Sequence, residues 1–364
     1  MLLPVGIEGA GVRRLPRATL ILLSANLLIY LLCVLLDLKS GAHLTDSILG
    51  PSDSTLQPWA MTPSNLRLVT IFTSPWIHLD VLHLAANCLF LWVFGSAVES
   101  AMGGLTVLAV YVSGGVMSAL VQLSATQCGV AASDVSYAGS SGAVIALMVA
   151  ITMRRYRARV RLWMILGEAA IPVWVILAAF VGWYWIAPAL NPGPSGPSGY
   201  WGHLGGAAAG FAFALCAGLV THGAIDYSME DALTLISKGQ LKAGLQVLHA
   251  LLKARPDDTR VPLALAREYV KVWDRDAGAR YYALSIRKEL DAGRLDNAIA
   301  DWDEAVASQV PLTARHALPL ANAAQQAGKI ETALKLYEWA APLADETTRA
   351  VIAARIEAIR RGVR

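Results

Sequence analysis

Charge is scarce in this sequence. Asp, Glu, Lys and Arg make up 16% of its 364 residues, where a soluble globular chain carries roughly 25%. The shortage is confined to one part: the first 222 residues hold only 10 Lys/Arg and 8 Asp/Glu, and the remainder holds 20 and 19. That excludes one soluble globule and divides the chain into a membrane-embedded body and a charged soluble tail. Excess charge of one sign is small as well, +3 in all. The basic surplus flanks apolar runs and the tail is nearly neutral, so no nucleic-acid partner is expected. Cysteine is sparse. Cys33, Cys88, Cys128 and Cys216 show no paired spacing, and the three in apolar segments read as small buried hydrophobes.

What is present is a set of long apolar runs. Six are long enough to span a bilayer, at about 18–38, 79–98, 104–124, 137–153, 162–187 and 202–222. Arg13, Arg14 and Arg17 precede the first, so it could mimic a secretory signal. The run is too long for that, and Asp37 and Lys39 follow it instead of a small-residue cleavage site, so an uncleaved first span is expected. Five arginines (Arg154, Arg155, Arg157, Arg159, Arg161) lie between the fourth and fifth runs, whereas the loops 39–77, 125–136 and 188–201 contain only Lys39 and Arg67. The positive-inside rule puts both termini in the cytoplasm, and the bacterial cytoplasmic (inner) membrane is the expected location. The Gly-, Pro- and Ser-rich loop 191–200 falls outside and is expected to be mobile. Trp163, Trp183, Trp185 and Trp201 fit interface belts.

The tail is Ala-rich with a helical period. Three similar turns recur, "SKGQLKAGLQVL", "DAGRLDNAIADW" and "QAGKIETALKLY"; Gly293 to Gly328 is 35 residues, and so is Gly239 to Asp274. A period near 34 with a small residue at the turn and Ala on the next helix predicts antiparallel helix pairs. The pattern resembles degenerate tetratricopeptide repeats. A generic helical bundle is the other reading. Such repeats imply a protein or peptide partner on a concave face, here a cytoplasmic one. The domains are thus 1–17, an N-terminal segment; 18–222, the membrane domain; and 223–364, the repeat domain.

Polar groups inside a bilayer are costly and point to function. Ser141, His203, His83 and Asn87 all fall near the outer ends of inward-running spans, so four scattered polar residues share one layer. Ser141 is 13 residues before Arg154, about 20 Å of helix against a hydrocarbon core of about 30 Å. The helix therefore starts inside the membrane, where its free N–H groups need a protein-lined, water-accessible cavity. Those N–H groups would also receive an oxyanion formed by attack from Ser141. His83 and Asn87, at i and i+4, can donate to the same oxyanion. Gly139 and Gly142 relieve crowding at the turn. Small residues recur every fourth position, at Ala138, Gly142, Ala146 and Ala150 and at Gly202, Gly206 and Gly210. Stripes of this kind let helices approach closely, which would bring Ser141 to His203, its base. No acidic residue lies near His203 in sequence, so a Ser–His dyad is expected.

"GSSG" at 139–142, "HLGGAAAG" at 203–210 and "HLAAN" at 83–87 resemble the GxSG, HxxGxxxG and HxxxN motifs of rhomboid intramembrane serine proteases, and "FGSAVE" at 94–99 is similar to the end of their second span. The resemblance covers about 18–222, in order and at suitable separations. It implies an all-α fold with a six-helix membrane bundle, ahead of the helical repeat domain. It also implies a serine endopeptidase cutting single-span membrane proteins within the lipid bilayer, without metal or cofactor. Ser141 would be nucleophile and His203 general base; His83, Asn87 and the Ser141 N–H would form the oxyanion hole. Two departures stand out. The family often has an aromatic residue four after the nucleophile, stacked on the histidine, where this chain has Ile145. The family's Trp-Arg in the first outer loop is Leu66-Arg67 here, with Trp59 or Trp76 as a replacement anchor.

Other classes fit less well. HExxH is absent, which disfavours a metalloprotease; no two aspartates lie within spans; and there is neither an inverted repeat nor an intramembrane charge pair to suggest a transporter. The alternative kept is a non-catalytic rhomboid-like scaffold that binds membrane helices. Among the remaining polar residues, Ser140 competes with Ser141 only if the GxSG register is abandoned. His78, five before His83, reads as an interfacial loop residue and Glu99 as a buried hydrogen-bond partner.

Overall fold

The computed structural model describes residues 3–7, 15–164, 167–190 and 199–361. Arg13, Arg14 and the loop 191–198 lie outside these, as do the side chains of Trp163, Trp183 and Trp185. The chain divides into two compact units, Met1–Ala224 and Ile225–Arg364.

The first unit is helical. Three helices among the described residues are long and apolar enough to cross a membrane, Arg17–Lys39, Val81–Met102 and Gly104–Gln127. A fourth is counted if Tyr200–Cys216 and Leu219–Ser237, bent by 66° at their junction, form one span. With helices this long and apolar the chain is an integral membrane protein. The bend falls at Gly218, whose φ of +61° suits glycine, so the last apolar run is not the straight segment to 222 that its hydropathy suggests. Residues Leu91–Gly95 form a π-helical stretch within the second long helix.

The fifth apolar run departs from expectation at its start. Residues Arg159–Met164 (β2) and Gly167–Pro172 (β3) pair antiparallel, and Leu3–Ile7 (β1) adds to β2 to give the order β1-β2-β3. Only from Val173 to Leu190 is the run helical. Arginines alternate with apolar residues over 159–162, a period-2 pattern suited to a strand. Pro172 disfavours α geometry in the residue before it. Apart from this small sheet the architecture is all-α.

The helix Ser141–Arg154, called the serine helix below, sits at the centre: every residue from Gly142 to Thr152 is buried, as befits a helix apolar all round. It packs between Gly104–Gln127 and the histidine helix, Tyr200–Cys216. Glycine permits the approach. A Cβ on Gly206 would overlap the Gly142 carbonyl and lie 2.8 Å from its Cα; one on Gly210 would lie 2.8 Å from the Ala146 Cα. Cys33 is buried, Cys88 half-buried, and Cys128 and Cys216 exposed. Cys216, expected inside, instead ends the histidine helix on its outer surface.

Two carboxylates fasten the loops. Glu99 accepts the Ala18 and Thr19 N–H groups and the Thr19 hydroxyl (3.0, 2.8 and 2.8 Å), capping the first helix, so it is the hydrogen-bond partner its position suggested. Buried Asp37 accepts from the Ser47, Ser52 and Thr55 hydroxyls. That holds the following loop against the end of the same helix.

The second unit is a run of helices joined by one recurring turn. Gly239, Trp273, Gly293, Gln309 and Gly328 all have positive φ, between 53° and 81°. In each case the next N–H returns to a carbonyl five residues back, as from Gln240 to Leu235 and from Lys329 to Ala324 (both 2.9 Å). This is the Schellman closure. Trp273 and Gln309 hold the left-handed position without glycine, which hides their turns from the glycine pattern. Between turns, alanines pack the helices closely; Ala298, Ala305, Ala317, Ala321 and Ala333 are fully buried.

Candidate active site

The segment that delivers Ser141 is tied down before its helix begins. Met61 and Tyr137 exchange both backbone hydrogen bonds (3.0 and 2.8 Å), and the Gly139 N–H donates to the Ser74 carbonyl at 2.9 Å. Gly139 then turns with φ +123°, and a Cβ there would stand 2.6 Å from His83 Cε1. Only glycine lets the backbone lie this close to the imidazole while holding that φ. Ser140 occupies the N-cap position and Ser141 is the first helical residue, so the Ser141 N–H is among the first-turn donors without a partner inside the helix.

The two serines face different histidines. The Ser141 hydroxyl is 2.7 Å from His203 Nε2, a hydrogen-bond distance; with the ring proton on Nδ1, Nε2 is the acceptor that a base requires. His203 itself sits in the first turn of its helix, its N–H bonded to the Gly199 carbonyl at 3.0 Å. Ser140 is 1% exposed and pairs with His78 Nε2 at 3.2 Å. The side chain of Ser140 is thus committed behind the turn. His78 is 1% exposed and lies edge-on to His83, with ring centroids 5.3 Å apart. His78 is a loop residue, as its position suggested, but a buried one that holds Ser140. Sequence spacing from His83 could not show this contact, because His78 precedes the helix that starts at Val81 and the loop between them brings it back to the ring.

Ser141, His203, His83 and Asn87 line one open cavity of about 250 Å³, together with Ser118, Gln122 and Phe180. The Asn87 amide donates one proton to the His83 carbonyl at 2.9 Å, which leaves its second proton for the cavity. The His83 N–H is held by Asp80 Oδ1 at 2.7 Å, fixing the start of that helix. No Asp or Glu lines the cavity among the described residues. No group of three His, Cys, Asp or Glu gathers among them as a metal ion would require.

Three residues were missed in the sequence. Phe180, from the helix Val173–Leu190, meets His203 edge-on at 6.0 Å and 75°. It supplies an aromatic contact where Ile145, 1% exposed in the core, does not. Gln122 accepts the Gly202 N–H at 3.0 Å, and an amide within an apolar span was a signal that could have been read. Ser118 lies where a Cβ on Gly142 or on Gly202 would meet it, at the contact of three helices. The two tryptophans considered as anchors behave differently. Trp76 packs on Tyr111 at 5.2 Å. Both Trp59 and Trp76 line an apolar groove with Ile29, Leu32 and Leu36. Arg67 donates to the Pro58 carbonyl at 3.1 Å. Trp201 donates to the Val130 carbonyl at 3.4 Å.

No curated protein matches the chain. Residues 65–219, the stretch that holds Ser141, His203, His83 and Asn87, match the family model of the Rhomboid domain, which supports the rhomboid family for this part of the chain.

Proposed function

We propose that the chain is an intramembrane serine endopeptidase with a Ser–His dyad. The carrying observation is the 2.7 Å approach of Ser141 Oγ to His203 Nε2 inside a cavity shared with His83 and Asn87. His203 takes the hydroxyl proton as Ser141 Oγ attacks the substrate carbonyl carbon. The negative charge moves to the carbonyl oxygen, facing the Ser141 N–H, His83 and Asn87. The C–N bond then breaks, and the proton on His203 passes to the departing amine. Water then enters the cavity and attacks the acyl carbon as His203 takes its proton; the bond from that carbon to Ser141 Oγ breaks, His203 returns the proton to Oγ, and the acyl product leaves as a carboxylic acid. The small residues at Gly139, Gly142, Gly206 and Gly210 hold the two helices close enough for this exchange.

The substrate class is a single-span membrane protein whose helix is locally unwound near small residues. The arginine distribution supports cytoplasmic termini and a cavity toward the outer side, in what we read as a bacterial cytoplasmic membrane. The tail is read as a tetratricopeptide-like domain, on the strength of its five like turns, and carries a cytoplasmic protein partner. The test is cleavage of a single-span reporter by the purified full-length chain beside Ser141→Ala and His203→Ala. Cleavage by wild type alone is expected. Equal cleavage by all three, or none across several reporters, would overturn the reading.

A further inference from the structure

Ser140 and His78 stand behind the cavity and exchange no proton in the reaction above. Each is 1% exposed. A hydroxyl and an imidazole at that depth are costly unless paired, and they pair with each other at 3.2 Å. Each is also one step from a group the reaction needs. Ser140 directly precedes Ser141 and starts its helix, its carbonyl accepting the Val144 N–H at 2.9 Å. The His78 ring meets the His83 ring at 5.3 Å and 69°. Gly139 closes the arrangement, since its backbone lies against the same His83 ring. His78 therefore touches, from the rear, both the turn that carries the Ser141 N–H and the side chain of His83.

We propose that His78 is a positioning residue which, through Ser140 on one side and His83 on the other, fixes the two halves of the oxyanion site relative to each other. The inference rests on Ser141 being the nucleophile. An oxyanion site works only with its donors about 2.7–3.1 Å from the developing charge, and displacement of the order of 1 Å is costly in rate. The His78–Ser140 bond opposes rotation of the turn, and the ring contact opposes tilting of His83. Loss of either should slow the chemical step and leave substrate binding alone.

The experiment measures kcat and KM on the reporter, and the labelling rate of Ser141 by a fluorophosphonate, with full-length protein. The variants are Ser140→Ala, His78→Ala, the double variant, His78→Gln and His78→Phe. Each alanine variant is expected to lower kcat and the labelling rate about tenfold, within reach of one hydrogen bond, with KM unchanged. The double variant is expected to be no slower than the worse single one, since both remove the same bond. Gln can reach Ser140 and should restore the part of the rate carried by that bond; Phe keeps only the ring contact and should restore only the part carried by His83. Rates within twofold of wild type, losses that multiply in the double variant, or a loss carried by KM would each overturn the proposal. So would a loss that tracks a lowered melting temperature and is not rescued by Gln. Should His78→Ala fail to fold, Ser140→Ala and His78→Gln still decide. A wild type that neither cleaves nor labels at Ser141 sinks the protease reading and this inference with it; an active wild type with indifferent variants sinks this inference alone.

Discussion

The ring of Phe180 presents itself edge-on to His203, with centroids 6.0 Å apart and planes at 75°. Phe180 comes from a third helix, between those of Ser141 and His203 in sequence, and it also meets Phe90 at 6.2 Å. The histidine is thus held between the hydroxyl of Ser141 and an aromatic edge, and the aromatic residue often found four after the nucleophile is not required for the contact.

Phe180→Leu is therefore expected to reduce kcat. An aromatic pair contributes about 0.5–1.5 kcal/mol beyond its area, which corresponds to a loss of roughly two- to tenfold. Ile145→Phe, made in the Phe180→Leu background, would not restore the rate, because Ile145 is enclosed in the core and a larger ring there overpacks it. Steady-state kinetics on the reporter checks both. Recovery by Ile145→Phe would show that the sequence position and not the contact matters.

The contact of the serine and histidine helices gives a second prediction. A side chain at Gly206 would collide with the Gly142 backbone, whereas a Cβ at Gly182 meets nothing within 4 Å. Gly206→Val is expected to cost about 1–3 kcal/mol by overpacking and to abolish turnover by separating Ser141 from His203. Gly182→Ala is expected to leave both unchanged or to raise stability slightly, since Ala is the better helix former. Thermal unfolding in detergent and reporter cleavage, measured on both variants, make the comparison. Equal effects would mean that the helices do not meet at Gly206.

How much of this was open to reading from the sequence depends on range. Ser141, His203, His83 and Asn87 lie in short motifs whose spacing is local, so they could be picked out, and the shared cavity is where the structure puts them. Phe180 could not be, because its meeting with His203 depends on how a separate helix is placed. His78 could be placed in a loop, but not against Ser140 and His83, because it precedes the helix that starts at Val81 and those contacts depend on how the loop folds back. The strand pair at 159–172 was absorbed into one long apolar run, although the alternation at 159–162, Glu168 and Pro172 mark it off from the helix that follows. In the tail, glycine marked the turns at 239, 293 and 328. The same turn at Trp273 and Gln309 has no glycine; the first is found only through the 35-residue spacing from Gly239 to Asp274, and the second has no such signal.

Glu99 leads to a third prediction, one that separates stability from turnover. Its carboxylate takes two N–H groups and a hydroxyl from the first turn of Arg17–Lys39, and it is not among the residues lining the cavity. Removing a charged acceptor from such donors costs about 1.5–3 kcal/mol, with a further contribution from the helix dipole. Glu99→Ala is expected to lower the melting temperature by several degrees, on the order of 2–4 °C per kcal/mol in a unit of this size. Glu99→Gln should fall between. The kcat of the folded fraction should stay within twofold of wild type; a larger fall in kcat would give Glu99 a part in the reaction.

The last prediction concerns pH and the tail. Arg267 holds Glu304 through two hydrogen bonds of 2.7 Å, and the Tyr282 hydroxyl donates to the same carboxylate at 2.9 Å. The Arg267 hydrogen bonds, ahead of opposing burial, hold the Glu304 carboxyl below its ordinary value of 4.5. A group depressed in the folded state contributes stability that is fully present above its unfolded pKa and is lost as pH falls through the folded one. The pair is half open to solvent, so its worth is modest, about 1 kcal/mol. Arg267→Gln should therefore speed hydrogen exchange in the helices Arg260–Lys271 and Leu295–Ala307 at pH 7, after correction for the intrinsic rate. That difference should shrink as the pH falls through the lowered Glu304 value and the carboxyl protonates in both proteins. Buried Asp301 moves the other way, its carboxyl raised chiefly by burial. Its contribution is present at low pH and fades as pH rises through the raised value. A wild-type to Arg267→Gln difference that stayed constant from pH 7 down to pH 3 would assign the effect to the packing of the arginine stem and not to its bond with Glu304.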